Sequence, residues 1–76
     1  MARERDYRPR PGTKALFVDP ELGAHVVTVL HQGRRSWGIY TRIEFAEPIR
    51  FEGEHWAERV HEVNPGYIHP LPEEVK

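Results

Sequence analysis

Five histidines in 76 residues, His25, His31, His55, His61 and His69, are the first side chains whose chemistry needs an account. Their spacing does not assemble a metal centre. His25 and His31 are six residues apart, as are His55 and His61. In a strand that separation is ~20 Å, too long for one ion. On a helix it is a rotation of ~240°, which also parts the second pair. The stretch His55-Trp56-Ala57-Glu58-Arg59 begins like the inverted zinc-protease pattern HxxEH, but Arg59 stands where the second histidine belongs. No metal and no cofactor is expected. Nucleophiles are as sparse. There is no Cys, Ser36 is the only serine, and Thr13, Thr28 and Thr41 fall inside predicted strands. No GxSxG, Walker A or GxGxxG pattern is present. Glu44, Glu47, Glu52, Glu54, Glu58 and Glu62 read as a solvated acidic face. The expectation is a non-enzyme without a small-molecule substrate.

Two groupings suit binding better than catalysis. Arg34 and Arg35 precede Trp37, Tyr40 and Arg42. Arginine for phosphate and aromatic rings for stacking make a workable surface for RNA or single strands. The second grouping is electrostatic. The net charge of −1 hides a gradient along the chain. Residues 1–14 carry Arg3, Arg5, Arg8, Arg10 and Lys14 against Glu4 and Asp6, a net +3. Residues 15–43 are +1, and residues 44–76 are −5. Opposite patches of this kind favour association between proteins. A dedicated nucleic-acid binder is more often basic overall. Arginine outnumbers lysine nine to two, and arginine with Tyr and Trp is the composition of interface anchors. The expected contact sets Arg3, Arg5, Tyr7 and Arg8 against a neighbour's acidic face bearing Glu52, Glu54 and Glu58.

The elements that position these residues must come from one small domain. A chain this short buries only about 60% of its unfolded surface, so it needs an economical β core, an oligomer or a partner. Without cysteine, a disulfide scaffold is excluded. No apolar run approaches the ~20 residues of a membrane span. No apolar segment follows Met1, so no secretory leader is expected and the expected address is cytoplasmic.

Residues 1–12, with Pro9, Pro11 and Gly12, read as an extended basic arm. Residues 13–19 read as a strand stopped by Pro20. Residues 24–31 read as a second strand, apolar on both faces and hence central. Residues 32–35 read as a tight turn, with Gly33 supplying a positive φ. Residues 36–45 alternate: Trp37, Ile39, Thr41, Ile43 and Phe45 on an apolar face, Tyr40 on the polar one. Residues 46–53 read as a loop broken at Pro48, with a brief edge strand over 49–51. Residues 54–63 read two ways. Trp56, Val60 and Val63 share one helical face, and local propensity favours a helix. The order of the neighbouring elements favours a strand. Residues 64–71 read as a turn of 3-10 type and a short extended piece, and 72–76 as a tail.

That succession resembles the SH3-like small barrels, which include KOW, Tudor and many bacterial and phage accessory domains. The resemblance covers residues 13–71. It is carried by the opening Gly12-Thr13-Lys14-Ala15-Leu16-Phe17-Val18, the hairpin at Gln32-Gly33-Arg34-Arg35, and the close Val63-Asn64-Pro65-Gly66-Tyr67-Ile68. It implies an all-β barrel of about five strands with extended N- and C-terminal arms. It also puts residues 54–63 in a strand, against an α+β alternative with a helix there. The ALYDY-type peptide-binding motif is absent, so proline-peptide binding is not implied. The expected function is a protein–protein interaction or assembly module, self-associating or bound to another protein. Phage head, tail or decoration subunits, housed in a virion, are the instance in view. The alternative is a KOW- or Tudor-like nucleic-acid-binding barrel using Arg34, Arg35, Arg42 and Tyr40, with Trp37 beside them.

Overall fold

Alternating apolar residues set the strands, and the burial pattern follows them wherever the core lies beneath. The structure, a computed structural model, describes residues 8–72. Five strands form one antiparallel sheet: β1 (Lys14–Asp19), β2 (Gly23–Arg35), β3 (Gly38–Ile49), β4 (Glu58–Val63) and β5 (Ile68–His69). Their order is β4-β3-β2-β1-β5, so the domain is all-β as expected. Residues 1–7 of the expected arm and 73–76 of the expected tail lie outside the described residues.

β1 and β2 meet at a turn in which Asp19 Oδ1 accepts from the N–H groups of Glu21 and Leu22, at 2.6 and 3.0 Å. β2 pairs with β1 on one side and β3 on the other, which makes it the central strand. Ala15, Phe17, Val27, Val29, Ile43, Phe45, Val63 and Ile68 form the core, with Leu22, Ile49 and Phe51 packed against it. Phe17 meets Phe45 edge-on, centroids 5.5 Å apart. Each such fully buried side chain contributes about 1.5–3 kcal/mol by leaving water. After β4 the chain makes one 3-10 turn over Pro65–Tyr67. Asn64 caps it, its Oδ1 accepting from Gly66 N at 2.7 Å. That turn lays β5 antiparallel to β1, Phe17 opposite Ile68.

Three expectations need correction. The tight turn is not at residues 32–35: β2 runs on through Arg35, and the turn falls at Ser36 and Trp37. Gly38, at φ +139°, supplies the left-handed geometry assigned to Gly33. Gly33 has a different task. A Cβ there would run into the ring and hydroxyl of Tyr40. The break at Pro48 is also misplaced, because β3 continues to Ile49. Its register against β4 shifts between Glu44 and Ile49, and such irregularities tolerate a proline without an N–H.

The faces of the long hairpin are corrected too. Trp37 and Ile39 are 64% and 43% exposed, whereas Tyr40 is 6% exposed. Val26 is 52% exposed, so the outer face of β2 is open to solvent rather than covered. The strand expected within residues 54–63 is present over Glu58–Val63, and the helical alternative is not. His61 and Val63 are buried with period two, while Trp56 and Val60 of the expected helical face are exposed. Cross-strand partners on β3 outweigh the helix propensity of Glu, Ala and Arg.

Candidate functional site

The β2–β3 hairpin outruns its neighbours. β1 reaches β2 only as far as Lys14 opposite Thr28, extended by Gly12 and Thr13 bonding to Val29. β4 reaches β3 only as far as Val63 opposite Thr41. Among the described residues, the hairpin beyond these points has no strand on either side. A bulge between Val29 and His31 re-aims it. Tyr40 lies across Gly33, its partner in the ladder. The Arg35 guanidinium sits 4.5 Å over the Tyr40 ring, and His31 Nε2 hydrogen-bonds Tyr40 Oη at 3.2 Å. The Trp37 ring stands 6.3 Å from Tyr40.

Glu62 of β4 ties this group down. Arg35 donates to both its oxygens, at 3.1 and 2.6 Å, and Arg42 donates to one of them at 2.6 Å. Hydrogen bonds from Arg35 first, then Arg42, hold the Glu62 carboxyl below its usual range. The same bond to Glu62 raises the Arg35 guanidinium above its own.

Alongside, the β3–β4 connection is anchored at its root. Phe51 stacks on His61, centroids 4.1 Å apart and planes within 16°. His61 Nε2 lies 2.8 and 2.9 Å from the carbonyls of Ile49 and Glu58. Both partners are acceptors, so Nε2 carries the proton and donates. Glu54 Oε1 accepts from Phe51 N at 3.1 Å, and Arg50 donates to the Glu54 carbonyl at 2.8 Å. From this anchored loop Trp56 stands 74% exposed. Trp56, Val60, Glu58, Glu62, His61 and Phe51 help line an open hollow of ≈ 630 Å³.

The structure brings together Arg35, Trp37, Tyr40 and Arg42. It does not bring Arg34 to them. Arg34 follows Gly33 and precedes Arg35 along β2, so it points to the other face, opposite Ile39. Glu52, Glu54 and Glu58 are exposed in one neighbourhood, the β3–β4 connection and the start of β4. Arg8 is exposed, and Arg3, Arg5 and Tyr7 lie outside the described residues. Sequence reasoning missed Glu62, Val60 and Trp56 as parts of one surface. Period two at 58, 60 and 62 was the available signal, and the helical reading masked it. Among the described residues no three His, Asp or Glu side chains group to hold a metal ion, and no helix is long and apolar enough to cross a membrane.

These features define a small five-stranded antiparallel β domain with a cation–aromatic cluster on the β2–β3 hairpin and an acidic hollow beside β4. No family model matches the chain, and neither a curated protein nor a solved structure does.

Proposed function

We propose that the chain is a non-enzymatic protein-interaction module of SH3-like layout. The strand order, the 3-10 turn before β5 and the return of β5 onto β1 support that layout. Fold alone does not fix function, so the reading rests on the surface. One observation carries it: Trp37 and Trp56, 64% and 74% exposed, flank the Arg35–Tyr40–Arg42–Glu62 cluster. Exposed tryptophans around prearranged arginines are the composition of binding hot spots. Burying one such ring against a partner removes ~150–250 Å² of mostly apolar surface from water. The module acts in the cytoplasm or as a subunit of an assembly such as a virion.

Native mass spectrometry of the purified chain, with and without its source lysate, tests this. Species heavier than one chain are expected, and Trp37→Ala with Trp56→Ala removes them. A chain that stays alone in both settings overturns the reading.

A second reading, nucleic-acid binding, keeps one specific support. Arg34 is exposed and makes no ion pair among the described residues, next to the Trp37 turn. Against it, Arg35 and Arg42 are both committed to Glu62. A gel shift with single-stranded oligonucleotides at ~50 mM salt, where such contacts are strongest, decides. Binding that weakens on Arg34→Ala favours it, and no shift removes it.

A further inference from the structure

β4 ends the sheet on its side, and among the described residues no strand covers its outer edge. The opposite edge is guarded. β5 is two residues long and Pro70 follows, with no N–H to offer. β4 is six residues long without proline. The ≈ 630 Å³ hollow beside it is lined from both sides of that strand: Phe51 and His61 toward the core, Arg42 and Glu62 toward the outer face. A hollow lined from both sides of an edge strand follows its edge. An extended chain fits such a place by bonding to the outward N–H and C=O groups of the strand.

Charge selects the occupant. Glu54, Glu58 and Glu62 line the hollow, and Arg42 is already bound to Glu62. A second β4 fits poorly. Two-fold antiparallel pairing centred on Val60 sets Glu58 against Glu62 twice, and like charges directly opposite repel. A cationic strand suits this acidic edge better, and the chain contains one. In an extended segment Arg3, Arg5 and Tyr7 fall on one face at alternate positions, and Arg8 follows.

We propose that residues 3–8 of a second copy add as a strand to the outer edge of β4, their arginines meeting Glu54 and Glu58. This rests on the protein-docking reading above and supplies its partner. The same copy is the less favourable donor. Arg10 is held at the base of β1, its carbonyl accepting from Thr13 N at 3.0 Å. With residues 3–8 laid along β4, only two residue steps, about 7 Å, remain to reach Arg10. The base of β1 stands three strands from β4 in the sheet order, and the outer edge of β4 lies on the far side of that strand.

The test uses the full chain in sedimentation velocity and amide hydrogen exchange. The wild-type chain associates with rising concentration. Arg3→Glu with Arg5→Glu weakens association at least ~10-fold, and Glu58→Arg does so by a similar factor. Both variants keep the wild-type circular dichroism, and they melt with the wild type at concentrations low enough that every chain is a monomer. Mixing the two variants restores a complex, because one retains the β4 edge and the other the arm. Amides within residues 58–63 exchange more slowly in the associated state, which side-chain contact alone would not produce. A wild-type chain that is monomeric to ~1 mM overturns the proposal. So does association indifferent to both charge reversals, a mixture that stays monomeric, or unprotected β4 amides. Association lost on Trp37→Ala but indifferent to the arm also overturns it, and leaves the docking reading standing.

Discussion

At one end of the β2–β3 hairpin Val27, Val29, Ile43 and Phe45 point into the core and are at most 3% exposed. At the other end Ile39 and Trp37 continue the alternation of Ile43 and Phe45, yet both are exposed. The side chain held in place there is Tyr40, fixed by Gly33 beneath it, Arg35 above it and His31 at its hydroxyl. Apolar periodicity records which way a side chain points. Whether it is buried depends on what lies under the strand. Where β1 and β4 stop, order in the hairpin passes from apolar packing to ring, cation and carboxylate.

The sharpest way to break this contrast is to cut the same atoms from both ends. Ile43→Ala should cost about 2–5 kcal/mol through lost transfer energy and a cavity, a large share of a small domain's stability. Ile39→Ala should cost under about 0.5 kcal/mol. Urea denaturation of the two variants checks the pair, and similar losses would refute the distinction. Next in size is Gly33→Ala, which forces Tyr40 from its seat and should cost about 1–3 kcal/mol. Tyr40→Ala in the same chain should cancel most of that increment in a double-mutant cycle.

Smaller still is the effect of acid on the Glu62 knot. The folded-state pKa of Glu62 is lowered, so the knot stabilises the fold fully above the ordinary glutamate value of ~4.3. That contribution disappears as pH falls through the depressed folded-state pKa. Glu62→Gln should remove this component of the acid dependence and change stability modestly at neutral pH. Melting temperatures across the acidic range for both chains measure it. Smallest is Trp37→Ala, whose effect on the unfolding midpoint should stay within about 0.5 kcal/mol while its interactions are lost.

The five strands were largely legible because β1, the first half of β2 and the second half of β3 alternate over a covered layer. The close at Asn64, Pro65 and Gly66 was legible because cap and turn residues act locally. The hairpin turn was misplaced because Gly33 carries the same letter whether it supplies a positive φ or makes room for a ring. The strand over residues 58–63 was ambiguous because its warrant lies on β3: Arg42 opposite Glu62 and Ile43 opposite His61. The candidate surface was half legible. Arg35, Trp37, Tyr40 and Arg42 are close in sequence and meet in space. Glu62 and Trp56 join them only through pairing between distant strands.

Phe51 belongs to no strand, yet its ring lies against Phe17 of β1, Phe45 of β3 and His61 of β4. Five residues on, the same connection presents Trp56 to solvent. The loop therefore has one foot in the interior and one hand outside. Letting go of Phe51 uncovers the core, so a partner that grips Trp56 and its hollow also resists unfolding of the whole domain. Occupancy and melting temperature are then linked by mass action, and the domain is firmest when it is engaged.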